Sequence, residues 1–381
     1  MFIKLKKYVI FGLFFLLVAV TAYSFVLSNQ LKRAKKEITT ISIDPLVFKE
    51  KLAKKPPEWM VKQIDRDLSS YSNGITSAML DQAFLGDKIR AYSLVRFKIT
   101  NGHLAFSHDE RHLYSRHFRE LLACIQKLVE QTKLPDVDFI VSLEDGFGKN
   151  PDLGPCFVFA KQKNVESLIL IPDIKAMTGY SKLRNQIQEA NQKMPWKDKI
   201  AKTFWRGSTT GGFFTLDNWD CFARAKLVLL SLQYPQEIDA RFHSLLQCTN
   251  DVRELIKREG LLSKSVQKED HLKYKFLADV DGNSCSFERY FWLLASNSLV
   301  LKQTTPNIQW YYGALEPYVH YLPVKEDLSD LLEKMAWAKE HDAESEAMAE
   351  KASQFTKEHL SSEDTLVYLY HLLVKYAALF H

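Results

Sequence analysis

KYKFLADVDGNSCSFERYFWLLASNSLVLKQ, Lys273 to Gln303, changes its hydrophobic rhythm twice. Residues 275–280 form a β-rich run that stops at a polar loop, DGNSCS. An apolar helical stretch follows through Leu294, and residues 299–302 are β-rich again. A strand, a helix and a strand in that order predict a parallel pair, because the connection carries its own helix and is too long for a hairpin.

The same alternation extends in both directions. Pro56 and Pro57 stop any helix arriving from the N-terminal side, and PEWMVKQIDRDLSSY then reads as a helix opened by proline, with Met60, Ile64 and Leu68 on one face. Residues 90–99 alternate as a strand, Asn101-Gly102 signals a hairpin, and Tyr114 to Thr132 is an amphipathic helix. Val137 to Leu143 is a strand ending at Glu144, Asp145 and Gly146, Ser167 to Ile171 is a buried strand, and Lys182 to Lys193 is helical. Thr203 to Trp205 is a strand, Leu216 to Leu232 a helix and His320 to Val324 a strand; Leu328 to His341 and Glu344 to Leu360 are helices. Strands alternating with helices predict an α/β protein with largely parallel sheets.

The chain has 381 residues, 46% hydrophobic and 25% charged, which suits about two globular domains. Tyr8 to Leu27 is an uncharged apolar run whose helical length, roughly 30 Å, matches a bilayer core. It predicts an uncleaved single-pass anchor; the basic residues Lys32, Arg33, Lys35 and Lys36 follow it where a signal peptide would place a small-residue cleavage site. Residues 1–63 hold twelve Lys/Arg against four Asp/Glu, a net of +8, while the whole chain is +5, so the remainder is −3. The basic character therefore belongs to anchor and stalk, which favours an anionic membrane surface and argues against nucleic acid. Five scattered cysteines without CxxC spacing signal neither disulfides nor zinc, and no N-x-[ST] sequon is present. These hints favour a catalytic body on the cytoplasmic side of a bacterial inner membrane, a lumenal type II arrangement being the alternative.

Two loops carry candidate chemistry. KTFWRGSTTGG, Lys202 to Gly212, reads as a short strand entering a turn in which Arg206, Ser208, Thr209, Thr210 and the glycines have the parts of a phosphate cradle; an ordinary surface loop fits the composition equally. It has neither the P-loop order nor a dinucleotide fingerprint. The loop after Ala278 again joins small polar residues to an arginine, Arg289, at the start of a helix, and two such loops suggest one diphosphate ligand. Taken alone, Arg289 reads as a solvated helix residue. Asp145, at a strand end beside glycine, is the candidate general base, against a helix cap or loop carboxylate, with Glu144 as its rival. His108, His112 and His117 lack zinc-motif spacing, and Asp279-Val280-Asp281 is a D-x-D for which no metal is expected.

Together FWRGSTTG, the Lys273–Gln303 block and EPYVHYLPVKEDLSDLLEKMAWAKEHD resemble family 90 glycosyltransferases, a family of protein O-glucosyltransferases, capsule-associated proteins and lipopolysaccharide core transferases. PPEWMVKQIDRDL is similar to the family's opening segment, and the resemblance runs from about Trp59 to the C-terminus. It implies a GT-B architecture, two Rossmann-like domains facing a cleft, and inverting transfer from a UDP-sugar without metal or other cofactor. Arg206, Gly207, Ser208, Thr209 and Arg289 would then hold the diphosphate, with Asp281, Gly282 and Ser286 lining the donor loop. Asp145 would be the base, although the family's eukaryotic members read R-D-Y-P where this chain has Glu144-Asp145-Gly146-Phe147. Arg289 sits in an S-F-E-R segment one residue longer than in some members.

The expected organisation is tip and anchor over 1–30, stalk over 31–56, an acceptor-side Rossmann-like domain over 57–194, a UDP-sugar domain over 195–345, and C-terminal helices over 346–381 packing back on the body. The expected activity is transfer of a hexose, glucose first, to a lipopolysaccharide core or related surface glycan. Lumenal protein O-glucosyl- or xylosyltransfer, and a non-catalytic glycan- or nucleotide-binding protein, are the alternatives. With Asp145 in one domain and both arginines in the other, closure of the cleft would assemble the site.

Overall fold

The computed structural model describes residues 41, 43–110, 115–147 and 151–380. Tyr8 to Leu27 and His112 lie outside the described residues, and among those described no helix is long and apolar enough to cross a membrane.

The first sheet contains β1 (Leu94–Thr100), β2 (His103–His108), β3 (Val137–Ser142), β4 (Cys156–Val158) and β6 (Leu168–Leu170), in the order β2-β1-β3-β4-β6. β3, β4 and β6 run parallel, but β1 is antiparallel to both of its neighbours, so this sheet is mixed. Asn101 and Gly102 both take positive φ, +51° and +75°, and turn β1 into β2 as the Asn-Gly pair predicts. Between β4 and β6 lies β5 (Lys161–Gln162), a short strand that leaves the sheet.

The second sheet is wholly parallel, in the order β12-β10-β9-β7-β8. Its strands are β7 (Ile200–Ser208), β8 (Ile238–Ser244), β9 (Tyr274–Asp279), β10 (Leu299–Gln303) and β12 (Leu322–Val324), while β11 (Asn307–Ile308) pairs antiparallel with β5 and ties the two halves together. The helix Ala223–Gln233 crosses from β7 to β8, and Glu288–Leu294 crosses from β9 to β10. Both sheets are Rossmann-like, which places the loops after β7, β9 and β10 at one carboxyl edge, the usual ligand edge of a parallel sheet.

Several elements depart from the sequence reading. The helix expected from Leu216 begins at Ala223, because Asn218 ties the preceding chain into a loop: its Oδ1 accepts from Thr215 N and its Nδ2 donates to Phe213 O. β7 runs on through Arg206, Gly207 and Ser208, so the expected turn starts only at Thr209. β4, β8 and the helix Asn250–Arg258 are additional elements.

One apolar cluster fills the first sheet and continues through Tyr290–Leu294, Trp310 and Tyr311 of the second half; a separate cluster on the far face of the second sheet holds Trp205, Phe214, Leu227 and Phe242. Tyr180 stacks on Phe291 at 3.8 Å where the halves meet. The Ser362–Ala377 helix, opened by a Ser361/Asp364 capping box, returns to the first sheet, with Tyr376 against Phe157 at 4.9 Å and the Tyr368 hydroxyl donating to Leu170 O.

Candidate active site

The loops after β7 and β9 meet at the carboxyl edge of the second sheet, and a buried arginine fastens them. Arg224, at the start of the Ala223–Gln233 helix, donates from Nε to Asp281 O, from Nη2 to Val280 O, and from Nη1 to both Ser208 O and the Thr210 hydroxyl. Burial lowers its pKa to about 10, which leaves it charged at neutral pH. Gly282 makes the approach possible: a Cβ there would lie 2.8 Å from Arg224 Nη2 and from Thr210 Oγ1. Gly211 N donates to Asn283 Oδ1, a second link between the loops.

The expected donor residues divide into those on the outer wall and those committed inside. Arg206 stacks on Phe204 at 4.2 Å, pairs with Asp239 Oδ1 through Nη2 at 2.7 Å, and donates from Nη1 to Trp205 O and Asp239 O; its buried Nε has no partner. Arg289, one residue inside the Glu288–Leu294 helix, donates from Nη2 to Arg206 O, so the two arginines share one wall. Burial lowers the Arg289 pKa, and the Asp279 carboxylate opposes that shift. Phe287, immediately before this helix, has φ +43° and ψ −116°, a strained backbone of the kind that concentrates at functional sites.

Gly207 lies on β7 under the Trp205 ring, and the Ser208 hydroxyl has no protein partner among the described residues. Thr209 is fully buried and turns inward, its hydroxyl accepting from Leu246 N. Ser286 donates its hydroxyl to Asp279.

The D-x-D carboxylates are held by an amine. Lys302 Nζ lies 2.9 Å from Asp279 Oδ2 and 3.0 Å from Asp281 Oδ1, while Thr305 and Asn307 donate to Asp281 Oδ2. Burial works against the lysine's charge, yet the two aspartates hold its pKa well above the usual value. Among the described residues no group of three His, Cys, Asp or Glu is placed to hold a metal ion.

Two histidines complete the wall. His271, edge-on to Phe204 and Trp292, is pushed down to about 3 by burial and then by Arg289 and Arg206; His243 is lowered by burial and then by Arg289. At neutral pH His271 adds no charge of its own beside the arginines.

Asp145 arrives from the first half. A Cβ on Gly146 would fall 2.5 Å from Ser284 Oγ, so the loop carrying Asp145 lies directly against the loop after β9. Asp145 is exposed and has no protein partner among the described residues, whereas Glu144 accepts from the Ser93 hydroxyl. That contrast separates the two carboxylates that the sequence left as rivals. Sequence reasoning missed Arg224, Asp239, Lys302, His243 and His271. Only an arginine inside the apolar run ARAKLVLL hinted at any of them.

Two arginines on one wall, a carboxylate on a facing loop and a Rossmann-like sheet beneath are the parts a group-transfer site would need. The family model for glycosyl transferase family 90 matches residues 53–381. The chain belongs to glycosyl transferase family 90. It is 30% identical to protein O-glucosyltransferase 2 of Danio rerio over 301 residues, 76% of this chain and 56% of that protein. It is 26% identical to protein O-glucosyltransferase 1 of Homo sapiens over 334 residues, 82% of this chain and 78% of that protein. The chain thus spans little more than half of the first relative. Likeness to HepE of Anabaena, solved in complex with UDP and glucose, is faint: 11% identity over 58% of this chain and 62% of that one, with a TM-score of 0.37.

Proposed function

We propose that this protein moves a hexose, glucose first, from a UDP-sugar to a hydroxyl of a protein acceptor, with inversion at the anomeric carbon. The observation that carries the proposal is the Arg224-fastened pair of loops, with Arg206 and Arg289 on one wall and the Asp145 loop touching Ser284. The relatives, both protein O-glucosyltransferases, favour a protein acceptor over the lipopolysaccharide core expected from sequence.

In the proposed step the acceptor oxygen attacks the anomeric carbon as the bond to UDP breaks. Asp145 takes the hydroxyl proton, a role typically worth about 10²–10⁴-fold. Arg289 and Arg206 offset the charge gathering on the departing diphosphate, where no metal is invoked. Arg206 reaches that group by sharing its guanidinium with Asp239 or by leaving it. We propose residues 57–194 as the acceptor side and 195–345 as the donor side of a GT-B enzyme, with Tyr8 to Leu27 as its membrane anchor. Removing the segment before Ile41 should then release the protein from membranes on fractionation.

The test is incubation with UDP-glucose and other UDP-sugars against a folded protein acceptor and an extracted core glycan, read by mass spectrometry with and without EDTA. Transfer to protein with chelator present supports the proposal. Transfer to the glycan alone, or a strict Mn²⁺ requirement, contradicts it.

A further inference from the structure

A cavity of about 270 Å³ opens between the two halves, lined in part by Lys302, Thr305 and Asn307, which hold the Asp281 carboxylate. Arg66 of the Glu58–Leu68 helix and Lys163 just after β5 contribute from the first half; Lys302, Tyr290, Tyr312 and Tyr321 contribute from the second. No aspartate or glutamate is among its lining residues.

The charges in this wall are unequal in kind. Lys302 is spent on Asp279 and Asp281, and its ammonium lies 5.0 Å from the Tyr290 ring centroid and 5.6 Å from that of Tyr312. Arg66 and Lys163 are exposed, and neither has an ion-pair partner among the described residues. Two uncompensated cations at the mouth of an aromatic-walled cavity suit a carboxylate or phosphate, which a guanidinium grips with two hydrogen bonds and an ammonium with one. The cavity also shares structure with the donor loop. Thr305 and Asn307, both in its lining, hold the same Asp281 carboxylate whose backbone carbonyl receives Arg224.

We propose that this cavity is an anion subsite that receives an acidic group of the acceptor while its hydroxyl lies in the transfer site. The inference rests on the reading of the chain as an acceptor-glycosylating enzyme, and it narrows the acceptor to an acidic one. The acid has two chemical sources, a side chain of a peptide or a carboxylate on a sugar already attached, and different probes separate them.

The full chain is titrated by ligand-observed NMR with glucuronate, with N-acetyl-aspartyl amide and with glucose, alongside a separate UDP titration. The same titrations are run on Arg66→Ala/Lys163→Ala, whose sites are exposed and whose folding is checked by thermal melting. At least one charged probe should bind the wild type and lose tenfold or more in the double variant, with UDP affinity unchanged. A response to glucuronate alone places the acid on a sugar, and one to the aspartyl probe alone places it on a peptide; either supports the subsite. No binding of either charged probe, equal binding of glucose, or unchanged affinity in the double variant overturns it. Failure of the wild type to bind UDP would instead overturn the donor-site reading, leaving the anion subsite to be judged by its own probes.

Discussion

Replacing Arg224 by methionine keeps most of its aliphatic volume and removes the guanidinium. Three backbone carbonyls, Ser208 O, Val280 O and Asp281 O, and the Thr210 hydroxyl then lose their donor together. A buried acceptor left without its partner costs about 1–3 kcal/mol. The Val280 and Asp281 contacts are buried, so their carbonyls bear that penalty in full, whereas the Ser208 and Thr210 contacts are part-buried and water recovers some of it. A loss of about 3–5 kcal/mol follows, a large share of the 5–15 kcal/mol typical of a folded domain. The function should suffer more than the fold, because the loops after β7 and β9 lose their shared anchor and UDP must order them on binding. The assay is urea unfolding by tryptophan fluorescence paired with calorimetric titration of UDP. Arg224→Lys should recover only part of the loss, since one ammonium cannot serve four acceptors in the guanidinium's fork. Arg224→Met within about 1 kcal/mol of wild type, with UDP affinity intact, would refute the idea that this residue holds the site together.

Three further outcomes are expected. Gly146→Ala forces a methyl to 2.5 Å from Ser284 Oγ and should cut turnover with little change in overall stability; Ser284→Gly added to it should restore turnover, and a double variant no better than the single would remove the proposed contact from the mechanism. Asp145→Asn should lower kcat by about 10²–10⁴-fold while UDP still binds, and full turnover would move the base elsewhere. His271 is held neutral, with a pKa near 3 against an ordinary 6.5, so its contribution is present above pH 6.5 and is lost as pH falls toward 3. At most about 4–5 kcal/mol is at stake, and His271→Phe should flatten the fall in urea stability between pH 7 and 5; parallel curves for the two proteins would contradict that source of acid sensitivity.

How far the sequence reveals this depends on whether a residue's partner is local. β3, β9 and β10 are concentrated β-branched or apolar runs buried on both faces, and each is visible as a strand. β8 alternates buried Ile238, Ala240 and Phe242 with His and Arg, a half-buried edge strand whose period is present but weak. β4 is three residues long, too short to carry a period. The same division holds at the site. Glycine-rich loops at strand ends drew attention to Arg206, Gly282 and Asp145, because flexible backbone beside charge is a local signal. The Asp239 that holds Arg206 sits on the adjacent strand, and the Lys302 that holds Asp279 and Asp281 comes from a third, so only the sheet brings them together. Thr209 shows the converse: it belongs to the conspicuous loop, yet its hydroxyl is spent on Leu246 N.

The central claim is that the arginine wall at the carboxyl edge of the second sheet binds the diphosphate of a sugar nucleotide. Calorimetric titration of UDP into the wild type, Arg289→Ala and Arg206→Ala tests it most directly, with uridine as the probe lacking phosphates. Wild type should bind UDP well above uridine, and each variant should lose tenfold or more for UDP with little change for uridine. Equal UDP affinity in all three proteins, or no preference of the wild type for UDP over uridine, would contradict the account.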